Sequence, residues 1–311
     1  MLPMLRMIRS CALLLAFFAA CLSFPATAKP PLPDEGAMET ALALQAAAPA
    51  MWKVSDEDTT IYIFGTIHIL PEGVDWLNGK VAEAFADSDE LVTEIVGGDP
   101  LTIQALVLDK AILTDGTGLR DLLTNEERTA YEAALTGFGV PAATFDRFEP
   151  WYAAIGLSTL PLLREGFKND HGVERILETR ATERQMAHHG LETPEYQLGL
   201  FDSLPLDVQK RYLAEIVRQL PDIGTTLNAM VEAWKRGNAE ELARLMNEEE
   251  SDPVLFETLL VNRNRDWANW IAERLDEPGT VFLAVGAGHL AGSRSLQAQL
   301  AASGIASERV Q

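Results

Sequence analysis

Short apolar runs ending at glycine lie toward the two ends of the chain, and a long middle stretch carries its apolar residues at helical spacing. Runs of roughly 4–8 residues rich in β-branched and aromatic side chains, bounded by turn formers, predict strands. Strands are expected on that basis at 50–54, 60–65, 90–96, near 190–192, at 280–286 and around 307–310, the first two as a hairpin. Elsewhere the spacing changes to three and four. Val74, Leu77, Val81 and Phe85 mark a helix over 75–87. Helices broken at Gly116, Gly139, Pro150 and Gly166 follow over 101–183, others punctuated by Pro205, Pro221 and Gly237 over 201–247, and another over 253–275. The implied fold class is α/β (α+β): a central mixed sheet built from N- and C-terminal strands, with a large helical middle region, in a single domain. Strands from opposite ends of the chain must then pair across the helical insertion.

Two predicted strands stop in the same way, at Phe64-Gly65-Thr-Ile-His68 and Val285-Gly286-Ala-Gly-His289. Glycine lets the backbone bend sharply, and catalytic groups of α/β proteins gather where strands end. His68 and His289 are therefore expected at one site, although each motif alone also fits an isolated turn histidine. Glu94 interrupts the apolar run Leu91–Ile95. A carboxylate there is either paired in the interior or turned to solvent in an alternating strand. Glu192 is a second carboxylate at a strand end, or else a capping acid before Pro194. Gln197 either orients that carboxylate or is a surface amide. Arg263 and Asn264 sit in the helix marked by Leu259, Leu260, Trp267 and Ile271. There Arg263 grips a substrate carboxylate or a site glutamate through its fork, or forms a surface ion pair. His188 and His189 read as exposed residues at a helix C-terminus, and His171 as flanking a helix start.

Charge and cysteine usage narrow the chemistry. The 311 residues carry a net charge of −21, which disfavours nucleic acid and anionic lipid surfaces. Arg6 and Arg9, the apolar stretch Cys11–Leu22 and Ala26-Thr-Ala28 read as a signal peptide over 1–28, giving an exported, periplasmic or secreted protein. Phe18-Ala-Ala-Cys21 offers lipidation at Cys21 as the alternative. A flexible leader over 29–50 and a domain over 51–311 follow, with no transmembrane segment in the mature chain and Glu248-Glu-Glu250 as a solvated helix end. Cleavage removes both cysteines, Cys11 and Cys21, so any divalent ion (Mn, Co, Fe or Zn) must be held by imidazole and carboxylate. His68, Glu94 and His289 are the expected ligands, because a water-activating ion needs about three protein ligands and an open position.

Taken in order, Gly65-Thr-Ile-His68 with Ile-Leu-Pro following, Glu94, Gly-Leu-Glu192-Thr with Gln197, Arg263-Asn264, and Ala-Val-Gly286-Ala-Gly-His289-Leu resemble the TraB/PrgY/GumN family, which also contains the Tiki metalloproteases. The resemblance runs from about Met51 to the end. Through the related erythromycin esterase and ChaN-like group it implies an α/β fold whose Gly-x-x-His turns converge on one pocket. Its Tiki-like members imply a metal-dependent peptidase in which His68, His289 and Glu94 carry activity. The chain departs from the family pattern at Asn262, where an acid commonly precedes the Arg-Asn pair, and at Glu174, where aspartate is frequent. Neither residue is expected to touch the histidines or Glu94. Three readings follow: an exported, peptidase-like metal-dependent hydrolase completed by Glu192; a metal-free hydrolase of the erythromycin esterase type; and a non-catalytic binding protein for an exported peptide or polysaccharide intermediate. The partner in each case is a peptide or small molecule. The chain has no Gly-x-Ser-x-Gly, no His-Glu-x-x-His and no phosphate-binding glycine loop.

Overall fold

In a computed structural model that describes residues 46–246 and 252–311, the apolar runs form one six-stranded mixed sheet. The expected signal peptide over 1–28, Cys11, Cys21 and Glu248-Glu-Glu250 lie outside the described residues, as does the expected leader up to residue 45. The strands are β1 (Met51–Ser55), β2 (Thr59–Thr66), β3 (Glu90–Ile95), β4 (Ala187–Glu192), β5 (Gly279–Gly286) and β6 (Glu308–Arg309), in the order β4-β3-β5-β2-β1-β6. β1 and β2 form the antiparallel hairpin, and β6 adds antiparallel to β1. β2 pairs in parallel with β5, from Thr59 opposite Gly279 to Thr66 opposite Gly286. β3 runs parallel to both β5 and β4.

The near-continuous apolar character of the central strands reflects burial on both faces. Val281, Leu283 and Val285 of β5 pack with Ile61, Ile63, Val92, Trp267, Ile271 and Leu300. Phe282 and Ala284, alternating with them, join Phe64, Leu91, Trp76 and Trp234 on the opposite face. Helices thus cover both sides. One helix, Gly79–Asp87, connects β2 to β3. The β3–β4 connection contains Pro100–Lys110, Asn125–Gly137, Pro150–Arg164 and Val173–Glu183, and the β4–β5 connection runs from Pro194–Asp202 to Asn262–Arg274. Pro150 opens its helix, because proline at the first helical position gives up only an N–H that the helix leaves unpaired. Among the described residues no helix is long and apolar enough to cross a membrane.

Two expectations about helices change. The helix expected over 75–87 begins at Gly79, since the Asp75 carbonyl is taken by Ala47 N (2.8 Å) and by the Asn78 side chain (3.0 Å). His188 and His189 do not end a helix. That helix stops at Glu183, Gln185 turns the chain at φ 55°, and both histidines lie in β4 opposite Leu91 and Val92. Pairing with β3 outweighs their weak strand propensity. Ala47 and Ala50, assigned to the leader by sequence, are buried, and Ala48 N bonds Lys235 O at 2.8 Å.

Four strands run in parallel, so the C-terminal ends of β2, β3, β4 and β5 share one end of the sheet. That end is where open α/β sheets bind ligands.

Candidate functional site

The two Gly-x-x-His turns lie against each other through a close backbone approach at Gly65. A Cβ on Gly65 would stand 3.2 Å from the Ala287 Cα, so glycine lets the turn Ala287–Leu290 lie against the end of β2. Trp234 Nε1 donates to the Gly65 carbonyl at 2.7 Å. The loop after β2 is fastened from the other side. Lys168 N bonds Leu70 O (3.2 Å), Val173 N bonds Ile67 O (3.1 Å), and a Cβ on Gly172 would stand 2.0 Å from the His68 carbonyl oxygen.

This clamp brings in a residue that sequence reasoning missed. Glu174, in the first turn of helix Val173–Glu183, places Oε1 2.6 Å from His68 Nδ1 and accepts from the Thr66 hydroxyl. The expectation that Glu174 touches neither histidine is therefore corrected. No periodicity links positions 106 apart, and the signal that could have found it was an acid two residues after Gly172, at a position where the resembled family frequently has aspartate. Burial opposes charging the imidazole, yet Glu174, with a smaller contribution from Glu94, outweighs it and raises the His68 pKa above 6.5. His171 lies in the short turn Asn169–His171 that precedes this helix.

Arg263 is the hub of the second half. Its side chain is 6% exposed, as are those of Glu94 and Glu192. Nε donates to Glu192 Oε1 (2.9 Å); Nη2 donates to Glu94 Oε2 (2.5 Å) and Glu192 Oε2 (2.9 Å); Nη1 faces the Leu259 carbonyl and His289 Nε2, each at 3.1 Å. All five N–H groups of the guanidinium are thus engaged, and none remains to grip a substrate carboxylate. Gln197 Nε2 bridges the carboxylates, reaching Glu94 at 3.1 Å and Glu192 at 2.8 Å, and Trp267 Nε1 donates to Glu192 at 2.9 Å. Glu192 is therefore no helix cap, a role filled by Thr193, and Glu94 is not turned to solvent. Burial would raise the Glu94 pKa, but Arg263 above all, with His289, His68 and the Gly286 N–H, holds it well below the usual carboxylate range.

His289 is locked. Its Nδ1 lies 2.6 Å from Asn264 Oδ1, while Asn264 Nδ2 donates to Arg294 O at 3.0 Å, so Nδ1 carries the hydrogen and Nε2 accepts from Arg263. Burial, then Arg263, push its pKa down to about 3, and Trp267 packs against the neutral ring at 4.3 Å between centroids. His188 stands apart, bonded to Thr93 Oγ1 at 2.8 Å. Half-buried Asn262 accepts from Arg265 at 3.0 Å.

These groups surround a cavity of about 40 Å³. His68, Glu94, Gln197, Arg263 and Gly286–His289 form its polar side, and Leu200, Phe201, Met246 and Leu259 an apolar wall. A Cβ built on Gly286 would lie 3.1 Å from Glu94 Oε1 and 3.7 Å from both His68 Nε2 and His289 Cδ2. Imidazoles from opposite ends of the chain do meet there. The expected ligand set does not fit a metal ion as arranged: among the described residues no group of three or more His, Cys, Asp or Glu is disposed to hold one. The reason is Arg263, which occupies the Nε2 lone pair of His289 and one oxygen of Glu94.

A family model described as the TraB/PrgY/gumN family matches residues 50–309. An uncharacterized protein of Treponema pallidum (strain Nichols) is 21% identical over 263 residues, covering 79% of this chain and 78% of that one. No solved structure matches.

Proposed function

The chain belongs to the TraB/PrgY/gumN family, and from that premise and the site geometry we propose that it is a hydrolase of peptide or ester bonds in which His68 activates water. The observation that carries the reading is the His68 ring itself: Nδ1 is held by Glu174 while Nε2 turns toward Gly286 and Glu94 in a cavity large enough for water. A carboxylate behind a histidine fixes the tautomer and strengthens the base. Water bound at Nε2 gives its proton to His68 as its oxygen bonds to the substrate carbonyl carbon. The C–N or C–O bond then breaks, and the leaving group takes that proton back. Glu94, anionic throughout, favours the transient imidazolium. Arg263 has no donor to spare, so its charge acts through space and by fixing Glu94, Glu192 and His289.

The test is hydrolysis of a panel of peptides and esters with and without chelator. Activity should survive chelation, and His68→Ala should lower it about 10²–10⁴-fold, the usual share of a general base. Unchanged rates in His68→Ala would sink the assignment. The metal-dependent reading requires Arg263 to withdraw from Glu94 and His289; elemental analysis of the protein, with activity restored only by an added ion, would establish it instead.

A further inference from the structure

β4 is an edge strand, and among the described residues no strand pairs with its outer side. An open row of backbone donors and acceptors is a template for another extended chain, and proteins usually blunt such edges with lysine, proline or a covering element. β4 has none of the residue devices: Ala187–Glu192 contains neither lysine nor proline, and Ala187, His189 and Gly190 are exposed. Gly190 bares the backbone in mid-strand. A Cβ there would stand 3.0 Å from Val96 N and 2.9 Å from the Glu192 carbonyl, so glycine is required by the close approach of β4 to the end of β3, and it leaves no side chain beside the open edge. His188 and His189 reach back to β3, to Thr93 and to Glu90 (3.6 Å), and so lean away from the free edge.

The edge is continuous with the proposed site. β4 ends at Glu192, held by Arg263 and Gln197, and the next helix carries Gln197 and Phe201 of the cavity. Val96 and Tyr196, 40% and 43% exposed, follow the ends of β3 and β4 and offer apolar contact at that exit. A net charge of −21, with Glu195 just beyond the strand, favours a cationic partner.

We propose that the outer edge of β4 is a docking strand for an extended, net-cationic peptide, which adds to the sheet and runs past Glu192 toward the cavity. Only what becomes of the bound peptide rests on the hydrolase reading. The probe is a set of short synthetic peptides alternating leucine or valine with lysine or threonine, titrated into the full-length protein by calorimetry and followed by backbone amide exchange. Binding should protect amides of Ala187–Glu192. N-methylation of the peptide should weaken binding about tenfold at positions of one alternating phase and leave the other phase unchanged, as when a buried acceptor loses its donor. Absence of binding, uniform tolerance of N-methylation, or protection elsewhere would overturn the proposal. So would a peptide-free dimer that already protects β4, because a second copy would then fill the edge. Peptides that bind with the alternating pattern but are never cleaved count against the hydrolase alone, and cleavage without that pattern counts against the docking strand alone.

Discussion

His68 and His289 sit in matching motifs but are held in opposite states. Glu174 raises the His68 pKa above 6.5, so the neutral base accumulates as pH rises through that raised value. If His68 is the base, kcat/KM should climb with pH and level off on the alkaline side. Glu174→Gln should shift the climb to lower pH and cost about 10–100-fold in rate, the typical loss when a group orienting a histidine is removed. A pH profile unmoved by Glu174→Gln would show that the pair is not working as a unit. Arg263 is a different kind of residue, since it pairs with two buried carboxylates at once. Arg263→Met should destabilise the fold by about 3–5 kcal/mol in urea unfolding, and Glu94→Gln added to it should recover part of that loss. Sequence pattern exposed His68, His289, Glu94, Glu192, Gln197, Arg263 and Asn264, because each interrupts an apolar stretch or belongs to an ordered set of motifs. It did not reveal Glu174, whose partnership exists only once Gly172 seats against the His68 carbonyl.

Among the elements, strands buried on both faces were legible, and of β4 only the end near 190–192 was. β2, β3 and β5 carry continuous β-branched and aromatic runs, whereas Ala187-His-His-Gly has no such signal and becomes a strand by pairing with β3. The helix expected over 253–275 hides a further feature. It contains a widened π turn at Glu257–Val261, closed by the Asn262 N–H on the Glu257 carbonyl, directly before Arg263. Such turns arise from one extra residue in a helix and cluster at functional sites. Deleting Thr258 should regularise the helix, keep the far-ultraviolet circular dichroism, and turn Leu255 and Phe256 away from their buried positions by about 100°. The expected cost is on the order of 2–5 kcal/mol, as for losing one or two core side chains, with loss of activity. Unfolding midpoints equal to the parent would mean that the extra residue has no structural role.

For the molecule as a whole, the buried network ties stability to pH. The depressed pKa values of His289 and Glu94 mean that the stability they carry is present above their unfolded values of 6.5 and 4.5 and is lost as pH falls, for His289 between 6.5 and about 3. The raised His68 pKa has the opposite sign, its contribution fading as pH rises through the folded value. Urea midpoints should therefore decline steadily on acidification below about pH 6.5; a flat response through that window would contradict the locked, neutral His289. The layout of the sheet also sets an order of events during synthesis. β2 has β1 beside it at once, but its parallel neighbour β5 lies more than two hundred residues downstream, so the ribosome must add all of that intervening chain before the central pairing can close. Until then the hairpin waits with one flank bare, and the nascent chain is exposed to mispairing that holdase chaperones exist to prevent.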